Sequence, residues 1–575
     1  MAVESLGQTD AGYRGAAARG RPKRKRTASN IAFLIHSASG LWLTILLAVV
    51  MISGTITVLY AEIDWLIHSE MRISPGEERV NPGVLYDNLL EAYPDVGVNS
   101  LNTAVMTDRK AASALVAVPD GGFRSVWINQ FTGEVIGDTP FVTVGQFINI
   151  LHTNLFLPVV GRYFVNFFGV LLLISIVTGL ITYKKFWRGF LRRPRFHRDA
   201  RTWLGDLHRL TALWSLWFLL IIGVTGTWWF YQDPLVSAAG VPDIIAERPT
   251  PPTITTAELN LLGPETPERR SGAEIVSAVQ TAYPDMRVTL LLPPDAADQP
   301  FSVFGDRGEV LINGGANRIY VNPFTAEIMG AHLSEDWTAG QRVDAAMHPL
   351  HYGNWAKGGA ADLTVKLVWF LGGAIISFLT VSGLIIYLKR TRHAAGTLLA
   401  GTKLAAAVRK GWNWIKPWGG PMGALKYVNI LVVAGICAGG ALVLSLGAEG
   451  LGDKGRQFET QTAGPFDIGA VAIAGLLEAD LPPVRPGAHM DVYPKIADGR
   501  FRDARFIRVG LSDRDGEELD SAVVEGADGI GNGHVHLPET LEGVRLWIEI
   551  EGWDNQRHRA YWPLISDAGE ASRQG

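Results

Sequence analysis

Five stretches of this chain are apolar for long enough to cross a bilayer: 33–60, 163–184, 208–231, 364–388 and 425–447. Spanning about 30 Å of hydrocarbon takes about 20 helical residues. No water reaches unpaired backbone groups there, so each stretch must be a helix. The expected fold class is therefore an integral membrane α-helical bundle with about five transmembrane helices, its solvent the lipid bilayer. Lys and Arg set its orientation, because basic flanks stay on the cytoplasmic side. Basic residues precede the first stretch (Arg21, Lys23, Arg24, Lys25, Arg26), crowd the second connection from Lys184 to Arg201, and recur in the fourth from Lys389 to Lys416. The N-terminus is then cytoplasmic. The long stretches 61–160 and 232–363, and the C-terminal tail from 449, face the periplasm of a bacterial inner membrane.

Residues 1–30 read as a disordered basic cytoplasmic tail. The apolar run that follows is too long for a signal peptide and has no small-residue cleavage site after it, so it is a retained anchor. The connection 390–423 carries Trp412, Trp414 and Trp418 among Leu, Ala and Lys. It suits either an amphipathic helix on the inner membrane surface or a basic loop. The net charge of −4 points to no nucleic-acid partner. A single cysteine, Cys437, excludes an intrachain disulfide, a four-cysteine zinc site and a cysteine-held iron–sulfur cluster.

The two long outer stretches repeat each other. Tyr93-Pro94-Asp95 returns as Tyr283-Pro284-Asp285, and Asn129-Gln130-Phe131-Thr132-Gly133-Glu134 returns as Asn322-Pro323-Phe324-Thr325-Ala326-Glu327. Each opens with a helical pattern (Val84–Tyr93, Ile275–Tyr283) and continues with strand-like alternation such as Ser113–Val118 and Ser125–Ile128. Two small α+β domains are expected. The flanking helices repeat as well. Gly54 follows His36 by 18 residues, and Gly226 follows His208 by the same 18. Val177-Thr178-Gly179-Leu180-Ile181 matches Val381-Ser382-Gly383-Leu384-Ile385, and Leu151-His152 matches Leu350-His351. The unit is helix, outer domain, helix, and it occurs twice in parallel, with a pseudo-two-fold axis expected along the membrane normal.

That axis bears on the histidines. It would set His36 and His208 at one depth in the inner leaflet and His152 and His351 near the outer face. An ionisable side chain in a span is costly and points to a functional site. A flat macrocycle on the axis would take one axial imidazole from each half, so two haems are expected, bis-histidine and non-covalent b-type because no Cys-x-x-Cys-His occurs. A lone histidine near a helix end often only meets headgroups or caps a carbonyl, so it is the repeat-matched four that carry the reading. His348, three residues before His351, faces Asn149 in the repeat alignment; it is a haem-propionate neighbour, a spare ligand or a surface residue. Trp42, Trp214 and Trp217 lie within reach of the inner site in sequence, where they would pack on a macrocycle or simply between helices.

On these residues the chain resembles the PepSY-associated transmembrane proteins, with di-haem ferric-siderophore reductases among them. The resemblance covers roughly 30–392. It rests on the paired Phe-Thr-Gly-Glu-type hairpins, Leu207-His208-Arg209 entering a helix that reaches Thr225-Gly226, and the two Leu-His pairs before the return helices. It implies crossings at 31–62, 141–185 (after an interfacial helix), 207–232 and 336–389 (likewise). A basic cytoplasmic loop at 186–206 joins PepSY-like domains at 63–140 and 233–335. It further implies a haem-dependent membrane oxidoreductase, passing electrons from a separate donor (a reductase, reduced flavin or quinol) to a ferric siderophore or similar periplasmic ferric complex. Such reductases end soon after four helices. This chain adds a fifth, 424–448, and a further domain, 449–575. A non-redox, membrane-anchored regulator acting through its outer domains is the alternative, and a transporter with parallel repeats a more distant one.

The domain 449–575 alternates at Arg505–Val509 and Arg545–Glu551 between Gly and Asp turns, which predicts a periplasmic β-sandwich. His534 and His536 share one strand face, a spacing that can hold a metal, and His489-Met490 and His558 could add ligands. An ordinary polar strand face has the same pattern. Gly529–Gly533 opens no βαβ helix and reads as a turn.

Overall fold

The computed structural model describes residues 28–398, 434–441, 456–473, 489–496, 503–524 and 531–564, apart from short intervals within the first range. The basic tail to residue 27, the connection after 398, most of the fifth apolar run and Trp42 lie outside the described residues.

The first unit runs α1 (Ala28–Leu41), α2 (Thr44–Thr57), α3 (Tyr60–Ile67), α4 (Pro82–Ala92), β1 (Gly97–Asn102), β2 (Ala112–Val118), β3 (Gly122–Ile128), β4 (Val135–Pro140), α5 (Val144–Asn154) and α6 (Pro158–Thr182). The second runs α7 (Ala200–Trp214), α8 (Leu216–Phe230), α9 (Thr256–Leu261), α10 (Gly272–Ala282), β5 (Arg287–Leu292), β6 (Phe301–Asp306), β7 (Asn317–Val321), β8 (Ile328–His332), α11 (Ala339–Tyr352) and α12 (Gly359–Leu398). Each unit runs four helices, four strands and two helices, in the same order.

Two helices are long and apolar enough to cross a membrane unbroken, Val160–Thr182 and Gly359–Ile386. Two further spans exist if bent pairs are counted: Ile45–Thr57 with Tyr60–Ile67, bent by 61°, and Ala200–Trp214 with Leu216–Ala238, bent by 71°. The straight crossing expected over 208–231 is therefore broken at Ser215. Its hydroxyl donates to the Thr211 carbonyl at 2.7 Å. Such back-bonding competes with the helical ladder and bends it. The helices interlock across the units: α1 packs on α6 and α7 on α12, while α2 crosses to α12 and α8 to α6. Where α6 meets α8, a Cβ on Gly226 would sit 3.1 Å from the Gly169 Cα. The pair is close because neither residue has a side chain.

The outer region differs from the two separate domains expected. Its strands form one eight-stranded sheet in the order β4-β3-β2-β1-β5-β6-β7-β8. At the seam β1 and β5 run antiparallel, with Leu101 opposite Leu291. These two leucines are repeat counterparts, each eight residues past its Tyr-Pro-Asp tyrosine. The helices α4 and α10 cover one face of the sheet, where Leu85, Leu89, Ile275 and Val279 are buried against Val98, Leu101, Val288 and Leu291. Asp87 of α4 accepts from Gly272 N at 2.6 Å and Ala273 N at 3.0 Å, capping α10 across the seam.

The C-terminal region is a sandwich of two four-stranded sheets. Its strands are β9 (Arg456–Ala463), β10 (Phe466–Ile473), β11 (His489–Ile496), β12 (Ala504–Ser512), β13 (Glu518–Val523), β14 (Gly533–His536), β15 (Arg545–Gly552) and β16 (Arg557–Pro563), ordered β14-β11-β10-β9 and β13-β12-β15-β16. It sits on the outer sheet. Ala117, on the face turned away from α4 and α10, is buried in the sandwich's own apolar cluster. Trp553 meets Phe324 edge to face, and Arg505 donates to Asn260 Oδ1 at 2.9 Å.

The seam should carry measurable stability. Leu291 is fully buried there. Leu291→Ala should cost about 2–5 kcal/mol, the usual range for a core leucine truncation. It should lower the thermal unfolding midpoint of the purified protein, whereas Leu261→Ala, at a site 86% exposed, should leave that midpoint in place.

Candidate functional site

His152 occupies the last turn of α5, a helix seated by a buried carboxylate. Asp64 of α3 accepts from Thr143 Oγ1 at 2.6 Å and from Gly145 N at 2.7 Å, while Thr143 caps the helix by accepting from Gln146 N. His351 occupies the last turn of α11, which begins with a capping box from Thr338 and Gln341 and ends at Gly353 with φ of 67°. α11 is tied to α8 by Trp228 Nε1 donating to Asp344 Oδ1 at 2.7 Å, and to α12 by Trp369 Nε1 donating to the Leu350 carbonyl at 3.0 Å.

These supports bring the two imidazoles beside each other. Their ring centres are 6.3 Å apart, with planes 31° from parallel. Two imidazoles that each give one nitrogen to a metal at about 2.0–2.1 Å, on opposite sides, put their ring centres roughly 6 Å apart. The remaining nitrogens are engaged. His152 Nδ1 is 2.9 Å from the Val50 carbonyl, which can only accept. His351 Nδ1 is 2.7 Å from Thr225 Oγ1, whose proton goes to the Ile221 carbonyl at 2.8 Å. Both Nδ1 atoms are therefore donors, and each Nε2 keeps its lone pair. Metal-ligating histidines characteristically have this outer support, which fixes tautomer and ring orientation.

Around the pair lies a cavity of about 370 Å³, within the range of about 300–1,000 Å³ usual for ligand pockets. Its walls come from both units: Val50, Phe168, Leu172, Phe218, Ile222 and Ile376 are apolar, and Gly54, Gly169, Gly226 and Gly373 leave the helix surfaces flat. A Cβ at Gly54 would lie 2.5 Å from His152 Cε1, so the glycine makes room for the ring. Arg162, Asn166 and Asp233 supply a polar margin, with Asn166 Nδ2 donating to Asp233 Oδ2 at 2.8 Å. An apolar slot with paired imidazoles fits the apolar body of a haem; at its margin Arg162 Nε lies 3.5 Å from Asp233 Oδ2.

The inner pair repeats the pattern. His36 Nδ1 donates to the Ser175 carbonyl of α6 at 2.9 Å. His208 Nδ1 donates to Ser382 Oγ of α12 at 2.8 Å, that hydroxyl giving its own proton to the Leu379 carbonyl. The repeat-matched glycines Gly179 and Gly383 face these rings, with a built Cβ 3.2 Å from His36 Cε1 and 3.6 Å from His208 Cε1.

His348 lines the outer cavity and stacks on Tyr352, ring centres 4.3 Å apart. His534 and His536 come together with His489 on the sandwich surface. The other ligands considered with them do not join. Met490 is fully buried because it alternates inward between His489 and Asp491, and His558 lies on the opposite sheet beside Phe466. Trp214 donates to the Phe190 carbonyl in the connection after α6 at 2.8 Å, and Trp217 of α8 packs on Trp369 of α12. At the other pair, Trp229, one helical turn beyond Gly226, lies edge on against His351 at 4.6 Å. Sequence reading also passed over Asp64 and an ion group at the outer end of α12. There Lys366 Nζ meets Glu62 at 2.8 Å and Asp362 at 3.2 Å. Burial depresses the ammonium pKa of nearby Lys110, an effect that Glu62 partly offsets.

A duplicated membrane protein with matched histidines on a shared axis is the class this architecture defines. Residues 33–390 match the family described as PepSY-associated TM region, and the chain belongs to that family. It is also similar to Uncharacterized protein PA4219 of Pseudomonas aeruginosa, with 28% identity over 268 residues. That alignment covers 42% of this chain and 63% of the relative, so the chain spans less than two thirds of the relative's length.

Removing the seat of α5 should loosen its histidine. Asp64→Ala leaves the Thr143 hydroxyl and the Gly145 amide without their acceptor, at a cost of about 1–3 kcal/mol for each buried group so orphaned. A lower melting midpoint is expected, with Asp64→Asn retaining part of the loss because its Oδ1 still accepts.

Proposed function

We propose that this chain carries electrons across the bacterial inner membrane through two b-type haems, delivering them to a periplasmic ferric chelate such as a ferric siderophore. The observation that carries this reading is the His152–His351 pair: two imidazoles 6.3 Å apart, each with Nδ1 occupied as a donor, in an apolar cavity built from both halves of a duplication. His36 and His208 would hold the inner haem, and His152 and His351 the outer. A bis-histidine haem supplies a one-electron ferric–ferrous couple with no open coordination position, which suits electron transfer.

The protein's own part is to orient and enclose. Val50, Thr225, Ser175 and Ser382 hold the four rings in one tautomer. Phe168, Phe218 and Trp229 keep water from the outer pair, and the Arg162–Asp233 ion pair sits at the margin. A separate cytoplasmic-side donor (a reductase, reduced flavin or quinol) is oxidised, and the ferric complex outside gains the electron. Ferrous iron, softer than ferric, is held less tightly by hard-oxygen chelators and is released.

Five crossings with the N-terminus cytoplasmic fit this reading. α12 leads away from the outer domain, yet the sandwich beyond it docks on that domain, so the chain has to return. Residues 434–441 pack against the membrane helices, with Ile436 in one apolar cluster with Leu46 and Phe156.

Absorption spectra test the proposal. Protein from haem-replete cells should be red, with a sharp reduced α-band and about two haems per chain, one for each histidine pair. His152→Ala and His351→Ala should each remove one haem, the same one, and His36→Ala and His208→Ala should each remove the other. Adding a ferric siderophore to the dithionite-reduced protein should reoxidise it. A colourless preparation, or loss of both haems from every single variant alike, counts against the assignment; the colourless result favours a regulator acting through its outer domains.

A further inference from the structure

The strands β11 and β14 lie side by side at one edge of the sandwich, in a register that sets His489 opposite His536 and Asp491 opposite His534. Alternation turns Met490 and Val535, both fully buried, into the core. It turns His489, His534 and His536 out together. The three imidazoles meet: ring centres are 4.8 Å apart for His489–His534, 4.1 Å for His489–His536 and 5.7 Å for His534–His536. One ligand nitrogen from each lies within 4.8 Å of the others.

The hydrogen bonds around them select the metal-binding tautomer. Asp491 Oδ1 is 2.7 Å from His534 Nδ1, and Asp520 Oδ2 is 3.3 Å from His536 Nδ1. Carboxylates there hold the proton on Nδ1 and leave each Nε2 with its lone pair. The two carboxylates are themselves positioned, Asp491 by Asn532 Nδ2 at 3.2 Å and Asp520 by the His536 amide at 2.6 Å. His534 Nε2 and His489 Nδ1 are 2.8 Å apart, sharing one proton. A cation at about 2.0–2.1 Å from each nitrogen can take that proton's place with a small opening of the pair. Carboxylate–imidazole–metal relays of this kind are the usual outer support of a histidine metal site, and this face has two.

We propose that His489, His534 and His536 bind one divalent first-row transition ion of the zinc and copper class, with Asp491 and Asp520 as positioning residues. Three neutral nitrogen donors suit these ions and not magnesium or calcium, which take oxygen. With three protein ligands, a fourth position stays open to water or an outside ligand. The site lies beyond residues 33–390 and stands whether or not the membrane histidines hold haem.

The test uses tag-free, full-length protein in detergent, stripped with EDTA and titrated calorimetrically with ZnCl2, with Co2+ as a coloured probe. One ion per chain is expected, with no comparable binding of Mg2+. His489→Ala and His536→Ala should each weaken Zn2+ binding at least tenfold. Asp491→Asn should weaken it by about 10–100-fold, the usual effect of losing an outer-shell partner. His558→Ala should change nothing. All three ligands are exposed, so melting of the metal-free variants should match that of the parent; should one Ala variant not fold, His534→Asn and Asp491→Asn still decide the matter. Absence of stoichiometric binding, or binding that survives these substitutions, overturns the proposal.

Discussion

A strand can lie antiparallel beside its own repeat counterpart, residue opposite equivalent residue, only about a two-fold axis. Leu101 opposite Leu291 meets that condition, and much else follows from it. The two outer halves share one sheet and one helical layer, so neither has a complete core alone. The membrane helices obey the same relation, with α2 crossing to the return helix of the second unit and α8 to that of the first. Side chains at equivalent positions are drawn together near the axis. His152 and His351 are such a pair, and the cavity between them takes its walls from both units because it straddles the axis.

Two hydroxyls inside the bundle, Thr225 and Ser382, serve the imidazoles. A serine or threonine in an apolar helix usually gives its proton to the carbonyl one turn back. Having done so it can only accept, as Thr225 does from His351 and Ser382 from His208. The hydroxyl thus acts as a tautomer selector without adding charge to the bilayer. Val50 and Ser175 do the same with bare carbonyls. A ring held on one nitrogen offers the other in a fixed direction.

The duplication, its four matched histidines and the apolar runs were legible in the sequence because each is a matter of spacing or composition. His36 to Gly54 and His208 to Gly226 keep one interval, and Ser382 stands where Thr178 does. The joining of the outer halves was not legible: β1 and β5 look alike as internal or edge strands until tertiary pairing is known. The bend at Ser215 was hidden by unbroken hydropathy through 208–231. Trp229 was missed although its spacing from Gly226 places it on the same helix face. Asp64 gave no signal, since its partners Thr143 and Gly145 are distant in sequence. His489 was read as an added ligand beside His534 and His536, together with Met490 and His558, and it alone of the three joins them. Strand alternation within 489–490 would have sent Met490 inward, but only the pairing of β11 with β14 brings His489 to His534 and His536.

The sandwich occurs once on a body that occurs twice. It reaches Ala117 in the first half of the outer sheet and Phe324 and Asn260 in the second. A single cap of this kind occupies ground that a symmetric partner would need, and it makes two formerly interchangeable flanks distinct. Anything approaching from outside therefore meets a surface with one heading instead of two, so a protein assembled from equal halves presents itself to its surroundings as unequal.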